Sequence, residues 1–313
     1  MKEQPLISIV MPVYNTEKYV DAAIESVMRQ EFRNFELLLI NDGSQDSSAL
    51  ILQKWADHDM RVTVFFQQNQ GLSAARNKGL SLAKGKYVYF MDSDDKLRSD
   101  TLSSVIAYCE AENLDFIYFD AAVFGAEHDA KLLGLFNYAR KRTVPYDVVT
   151  GPHALASQLD QGEFFSSACM LMIKKELIDQ HDLHFEVGLV HEDELFTMLL
   201  YLQAKRVAYL PEQFFLRRVR PDSIMTSTLR MFNVLCYFKI AEHLLSFLKK
   251  NSENEELVNH YLTNMLNAAV WKAHVLPFSD RFRIFFIVVK NWSAYVRHQS
   301  LFVLLFKKFT FQK

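Results

Sequence analysis

The chain has 313 residues, half of them hydrophobic, which suits one large domain with an extension or two domains. Three scattered cysteines (Cys109, Cys169, Cys236) exclude a disulfide framework, and no Cys/His cluster has zinc spacing, so a reducing cytoplasm is expected. The net charge of −2 conceals a split: residues 272–313 carry eight Lys/Arg against Asp280 alone, which leaves the tail at +7 and the rest at −9 and points to an anionic partner for the tail.

The opening "MKEQPLISIVMP" holds an acid and a proline around a short apolar run, so no signal peptide is expected. No uncharged apolar run reaches the roughly 18 residues that span a bilayer. Residues Leu6–Met11, Phe35–Ile40, Arg61–Phe66 and Lys86–Met91 read as buried strands. Helices are expected over Thr16–Arg29, from the "NDGSQDSS" turn to about Asp59, and over Ser73–Leu82 with Ser73 as N-cap. Apolar strands alternating with amphipathic helices imply an α/β fold, a doubly wound and mostly parallel sheet. Residues 120–165 are less periodic and read as a variable insertion. Ser166–Ile178 reads as a strand running into a helix, His191–Gln203 as a helix, and Arg206–Leu210 and Phe214–Val219 as short strands. Beyond Thr228 the pattern is helical.

Each of the first four strands is followed by a polar or glycine-containing loop: "PVYN", "NDGS", "QQNQGLS" and "DSDD". In such sheets ligands bind at the carboxyl ends of the strands, so the four loops share one edge. Asp92-Ser93-Asp94 ends the fourth strand. Alternate residues there point the same way, so both carboxylates face one hard cation, Mg²⁺ or Mn²⁺. A bare D-x-D is more often a solvated turn; its place after the fourth strand favours the cation. Asp42-Gly43 suits a base imide or a ribose hydroxyl, and an ordinary turn explains it equally well. Pro12-Val13-Tyr14-Asn15 offers an aromatic face and a rigid backbone. Arg76, within "GLSAARNKGL", lies near the same edge and suits a diphosphate. "HEDE" at 191–194 is an acidic helix start, the commoner fate of such a cluster, or the source of a general base. There is no G-x-G-x-x-G, no Walker lysine and no HExxH.

Together "ISIVMPVYN", "LLLINDGSQDSS", "NQGLSAARNKGL", "YVYFMDSDD", "HEDELF" and "RRVRPDSIMTS" resemble, in order and spacing, the inverting family 2 glycosyltransferases of bacterial surface-polysaccharide type, over roughly residues 5–228. The resemblance implies a GT-A fold with a C-terminal helical extension: residues 1–228 as the nucleotide-sugar and catalytic domain, 229–313 as a membrane-surface or oligomer contact. It implies metal-dependent transfer of one sugar, hexosyl or N-acetylhexosaminyl, from a nucleotide sugar, usually a UDP-sugar. The acceptor would be a hydroxyl of a glycan or lipid-linked molecule in capsule, O-antigen or lipooligosaccharide synthesis. By position, Asp193 is the base and Asp94, with Asp92, holds Mn²⁺ or Mg²⁺. Pro12, Tyr14, Asp42, Arg76, Asp92, Ser93, Arg218 and Arg220 lie on the nucleotide side. "LRRVR" replaces the Q-x-x-R-W of processive synthases, so a single-sugar transferase is expected. The rival readings are a nucleotidyltransferase, which lacks its glycine-rich loop here, and a non-catalytic sugar-nucleotide binder, which needs no base. Ten aromatics punctuated by basic residues over 278–313 suit helices lying in the interface of an anionic membrane, on the inner face of the plasma membrane. Such stripes are usually core, so packing on the catalytic domain or on a partner subunit is the alternative; the +7 charge tips the balance to the membrane.

Overall fold

The computed structural model describes residues 4–125, 138–141, 147–219 and 228–307. The chain divides into two compact units, residues 1–188 with 192–221 and residues 189–191 with 222–313.

The first unit is built on one eight-stranded sheet. Its parallel half comprises β1 (Ile7–Val13), β2 (Phe35–Asp42), β3 (Val62–Gln67) and β4 (Tyr87–Phe90), in the order β3-β2-β1-β4. β1 and β4 are buried along their whole length because helices cover both faces. Val20, Ala23, Ile24 and Val27 of α1 (Val20–Met28) join the core cluster that holds Ile7, Ile9 and Met11 of β1. α3 (Leu72–Leu82) meets the opposite face, where Gly79 lies so close that a Cβ would come within 2.2 Å of Val10. α2 (Ser48–His58) joins β2 to β3. α3 begins at Leu72 behind Gly71, whose φ of +88° only glycine adopts easily, so Ser73 is not the N-cap that the sequence suggested.

Beyond β4 come β5 (Lys96–Leu97), α4 (Thr101–Glu112), β6 (Phe116–Phe124), α5 (Gly151–Gln161), β7 (Leu171–Lys174), α6 (Lys175–Gln180), α7 (Glu192–Gln203) and β8 (Val207–Arg218). β7 runs antiparallel between β4 and β6, β6 pairs with β8 in parallel, and β5 closes the edge antiparallel to β8. The sheet is therefore mostly parallel. Two expectations need correction. The short strands at 206–210 and 214–219 are one strand, β8, whose register against β6 shifts at Phe119/Asp120 and Asp120/Ala121. The supposed insertion at 120–165 contains part of β6 and the whole of α5.

The second unit is helical: α8 (Met231–Leu248), α9 (Glu255–Lys272), α10 (Phe278–Ile287), a π-turn at Val288–Trp292, and α11 (His298–Phe306). Its core includes Val234, Leu244, Val258, Leu262, Leu266, Ile284, Val288 and Leu304. Asn267 ties α9 to the start of α11. Its Nδ2 donates to the Tyr295 carbonyl at 2.8 Å, and its Oδ1 accepts from Arg297 N and Ser300 Oγ. α8 is long and apolar enough to cross a membrane by length and composition. It is not an uncharged run, since it carries Lys239 and Glu242, and Val234, Phe238, Ile240, Ala241 and Leu244 on it are buried.

Candidate active site

The carboxyl ends of β1, β2, β3 and β4 converge on one edge, and hydrogen bonds lace their loops together. Asn15, with φ +50°, receives Gln45 N on its Oδ1 and donates its own N–H to Ser44 Oγ. Thr16 N donates to Ser48 Oγ, and the Thr16 and Ser93 hydroxyls lie 3.0 Å apart. The first loop is thus fixed to both the second and the fourth.

The nucleotide-side residues proposed from sequence fall into distinct settings. Pro12 is buried in β1 opposite Ile40, beyond the end of the β1–β4 ladder, where its missing N–H leaves no gap on that side. Tyr14 stands at the rim, 47% exposed. The buried Asp42 accepts from Gln67 Nε2 (2.7 Å), Gln70 N (2.9 Å) and Gly71 N (2.8 Å), so it shapes the loop that starts α3. Gly43 is required beside it: its φ is +72° and a Cβ would meet Asn69 N at 2.9 Å. Ser93 is buried, its hydroxyl turned to Thr16. Arg220 lies outside the described residues.

Arg76 is the centre of the arrangement. Its side chain is 1% exposed and lies over the Phe185 ring. Its Nη2 donates to Asp92 Oδ1 at 2.9 Å, and its Nη1 donates to Glu192 Oε1 at 2.8 Å and Asp193 Oδ1 at 2.6 Å. One guanidinium thus joins the end of β4 to the start of α7. Burial opposes the arginine's charge, but Asp193, Asp92 and Glu192 together raise its pKa well above the ordinary value. Burial pushes both carboxylic acids up and Arg76 opposes it: Asp193 rises above its usual range, and Glu192, with Asp193 adding to the push, reaches about 7. Asp193 Oδ2 has only a long contact, 3.4 Å, from Ala168 N, so it is the less firmly held oxygen.

Two residues that the sequence reading gave no role complete the edge. Asp95 is buried and accepts the Arg218 backbone N–H at 2.6 Å, pinning the end of β8 to the aspartate loop. Burial, then Asp94 and Asp92, raise it well above the carboxylate range. Arg217 lies over the Tyr138 ring, and its charge is felt at Asp92, Asp95 and Asp193. Arg218 turns away: its Nε donates to the Asp94 carbonyl at 2.8 Å and its guanidinium lies over Tyr19 and Phe124. Neighbouring strand residues face opposite sides, so this parity separates the two arginines.

Among the described residues no group of three or more His, Cys, Asp or Glu side chains surrounds one cation position. Mg²⁺ and Mn²⁺ do not need one. They take one or two carboxylates and complete their shell with water and phosphate. Asp92 and Asp94 are hard oxygen donors two residues apart at a strand end, and only Oδ1 of Asp92 is bonded to Arg76, so the donor set fits such an ion.

Known proteins resemble this chain in sequence and in fold. The sequence model "Glycosyl transferase family 2" matches residues 8–181. Glycosyltransferase GlyG of Streptococcus pneumoniae is 31% identical over 228 residues, 70% of this chain and 73% of that protein. The minor teichoic acid biosynthesis protein GgaB of Bacillus subtilis is 27% identical over 282 residues, 87% of this chain but 30% of that longer protein. Among solved structures, S. aureus TarS 1–349 in complex with UDP-GlcNAc superposes with a TM-score of 0.63 at 21% identity, covering 91% of this chain and 87% of that one. The mannosyltransferase PcManGT of Pyrobaculum calidifontis, in complex with GDP-Man and Mn²⁺, gives 0.54 at 13% identity, with 97% and 85% covered. With this sheet, this loop edge and these relatives, the chain belongs to glycosyl transferase family 2 and is a glycosyltransferase of GT-A fold.

Proposed function

We propose that the chain inverts the anomeric centre of one sugar, moving it from a UDP-sugar to a hydroxyl of a glycan or lipid-linked acceptor. The setting is bacterial cell-surface polysaccharide synthesis at the inner face of the plasma membrane. Residues 1–228 would bind donor and catalyse, and residues 229–313 would serve the surface. The observation that carries this reading is the charge balance of the loop edge. Asp92 and Asp94 stand at the end of β4, Arg76 is already engaged by Asp92, Glu192 and Asp193, and Arg218 is turned to Tyr19 and Phe124, so a diphosphate beside the two aspartates is repelled unless a cation joins it. The UDP-GlcNAc bound to TarS supports a UDP-sugar donor, and the Mn²⁺ bound to PcManGT beside its GDP-Man supports the metal. The name of GgaB supports the polymer class.

Asp92 and Asp94 would hold the divalent cation. When bound, it neutralises charge on the leaving diphosphate as a Lewis acid. Asp193 would take the proton of the acceptor hydroxyl on its Oδ2 while Arg76 holds Oδ1. The acceptor oxygen then forms its bond to the anomeric carbon as the carbon–oxygen bond to the nucleoside diphosphate breaks. The leaving group departs with that electron pair. One displacement inverts the centre and needs no nucleophile on the protein, unlike the two-step retaining route. Pro12, Tyr14, Asp42, Ser93, Arg218 and Arg220 would shape the nucleotide side.

The test is sugar transfer from a panel of nucleotide sugars, with release of nucleotide followed in parallel. Asp94→Ala should abolish transfer, and EDTA should do the same to the parent protein. Asp193→Asn should keep donor binding and lose roughly 10²–10⁴-fold in turnover, the usual worth of a general base. Full activity in EDTA removes the cation from the mechanism. A near-normal Asp193→Asn with a dead Glu192→Gln moves the base by one residue.

A further inference from the structure

The helical unit leaves an unusual amount of aromatic surface outside. Phe278, Phe282 and Phe286 repeat every fourth residue along α10, and Phe302 and Phe306 do so along α11; all five are between 40% and 65% exposed. Their rings touch along each helix, Phe278 to Phe282 at 4.8 Å and Phe302 to Phe306 at 5.1 Å. These rings are not the packing faces of their helices. Arg281, Ile284, Val288, Ser300 and Leu304 are the buried residues, and the Arg281 guanidinium bonds the Leu304 carbonyl, locking α10 against α11. Each helix is therefore apolar on two sides, one packed and one open. Exposed aromatic rows of this kind mark a binding face.

Charge decides what it binds. Lys272, Arg283, Lys290, Arg297 and Lys307 are exposed around these helices, and Asp280 is the only acid in residues 272–313. A second copy would bring a like +7 segment against this one. Trp271 is also exposed, with Lys307 Nζ 5.8 Å from its ring centre, the mixture of aromatic body and cation that settles at headgroup level. At ten and nine residues the two helices are about 15 Å long, half the hydrocarbon thickness, so they lie in the interface and do not cross it.

We infer that the outward faces of α10 and α11 form an anionic-membrane-binding surface, in which Phe278, Phe282, Phe286, Phe302 and Phe306 enter the acyl boundary and the flanking lysines and arginines contact lipid phosphates. The inference identifies the residues of the surface contact proposed above and does not depend on the donor chemistry. Truncating the chain after Val275 is a poor test because it removes the buried Ile284, Val288, Trp292 and Leu304 as well. The exposed rings allow a cleaner one. The full chain and the triple variant Phe282→Ser/Phe286→Ser/Phe302→Ser are sedimented with vesicles of phosphatidylglycerol and phosphatidylcholine, and with phosphatidylcholine alone. Circular dichroism and light scattering monitor fold and oligomeric state. The full chain should sediment with the anionic vesicles only. Its partitioning should fall at least tenfold in 0.5 M NaCl and at least tenfold in the triple variant, which should remain folded. Failure of the full chain to sediment, or equal sedimentation of the variant, overturns the inference. So does an oligomer that the three substitutions dissociate without any change in vesicle binding, because the face then serves a second copy. None of these readouts involves transfer, so the proposed reaction stands or falls separately.

Discussion

Arg76 serves three carboxylates with two terminal nitrogens, and this sharing gives Glu192 a measurable signature. Burial and the adjacent Asp193 raise Glu192 to about 7 from an ordinary value near 4.5. Folding therefore takes up a proton between those two pH values. The stabilisation is complete below about 4.5 and is lost as pH climbs through about 7. The melting temperature of the parent should fall, relative to that of Glu192→Gln, from pH 5 to 8; parallel curves would show that Glu192 stays ionised. Much of this site was legible in the sequence. Asp92 and Asp94 can be placed on the loop edge because loops after parallel strands share one edge, although singly an acid after a strand or at a helix start also serves a turn or a helix dipole. The pairings were not legible, because Arg76 finds its partners 16, 116 and 117 residues away. Nor was Arg217. It differs from Arg218 only in the side of the strand it faces, and that parity depends on irregularities in the β6–β8 pairing.

The same limit operates on whole elements. Four nearly continuous apolar runs announced the parallel half of the sheet. β6 went unread because Asp120 stands in the middle of "FIYFDAAVF", and an acid in a buried strand argues against a strand. The structure supplies its partners. Asp120 Oδ1 accepts from Arg140 Nη1 at 2.7 Å and its Oδ2 from Tyr209 Oη at 2.8 Å, while the arginine also lies over the Tyr118, Phe165 and Tyr209 rings. β8 was split in two because "PEQ" interrupts it at 211–213, where three exposed residues accompany the register shift. Both sides of the Arg140–Asp120 pair are almost fully buried, at 1% and 4% exposure. Removing one partner from such a pair typically costs about 3–5 kcal/mol, since the other charge remains behind unpaired. Arg140→Met should lower the unfolding free energy measured in urea by that much, and adding Asp120→Leu should recover most of the loss. A loss under about 1 kcal/mol in the single variant would mean that water reaches Asp120 and that the pair is not sealed.

Across the whole molecule, acid and base are separated along the chain: −9 before residue 272 and +7 from residue 272 onward. On the reading proposed above, the acidic portion would take a diphosphate together with a cation, whereas the basic portion would meet anionic lipid. Salt should therefore act differently on the two steps of catalysis at a membrane. Each Lys or Arg at an anionic surface contributes about 1 kcal/mol, and the attraction decays within a Debye length. That length shrinks from about 10 Å at 0.1 M to about 3 Å at 1 M ionic strength. A donor diphosphate held by a cation at a partly buried edge would be screened far less. With acceptor embedded in anionic vesicles, the initial rate of transfer should fall at least tenfold between low salt and 0.5 M NaCl. Donor hydrolysis without vesicles should change less than twofold over the same range. The triple phenylalanine variant should show the slow rate at low salt already, with its donor hydrolysis intact, because it lacks the apolar part of the attachment. A parallel decline of transfer and hydrolysis would locate the salt effect at the donor edge and leave the tail without a part in turnover.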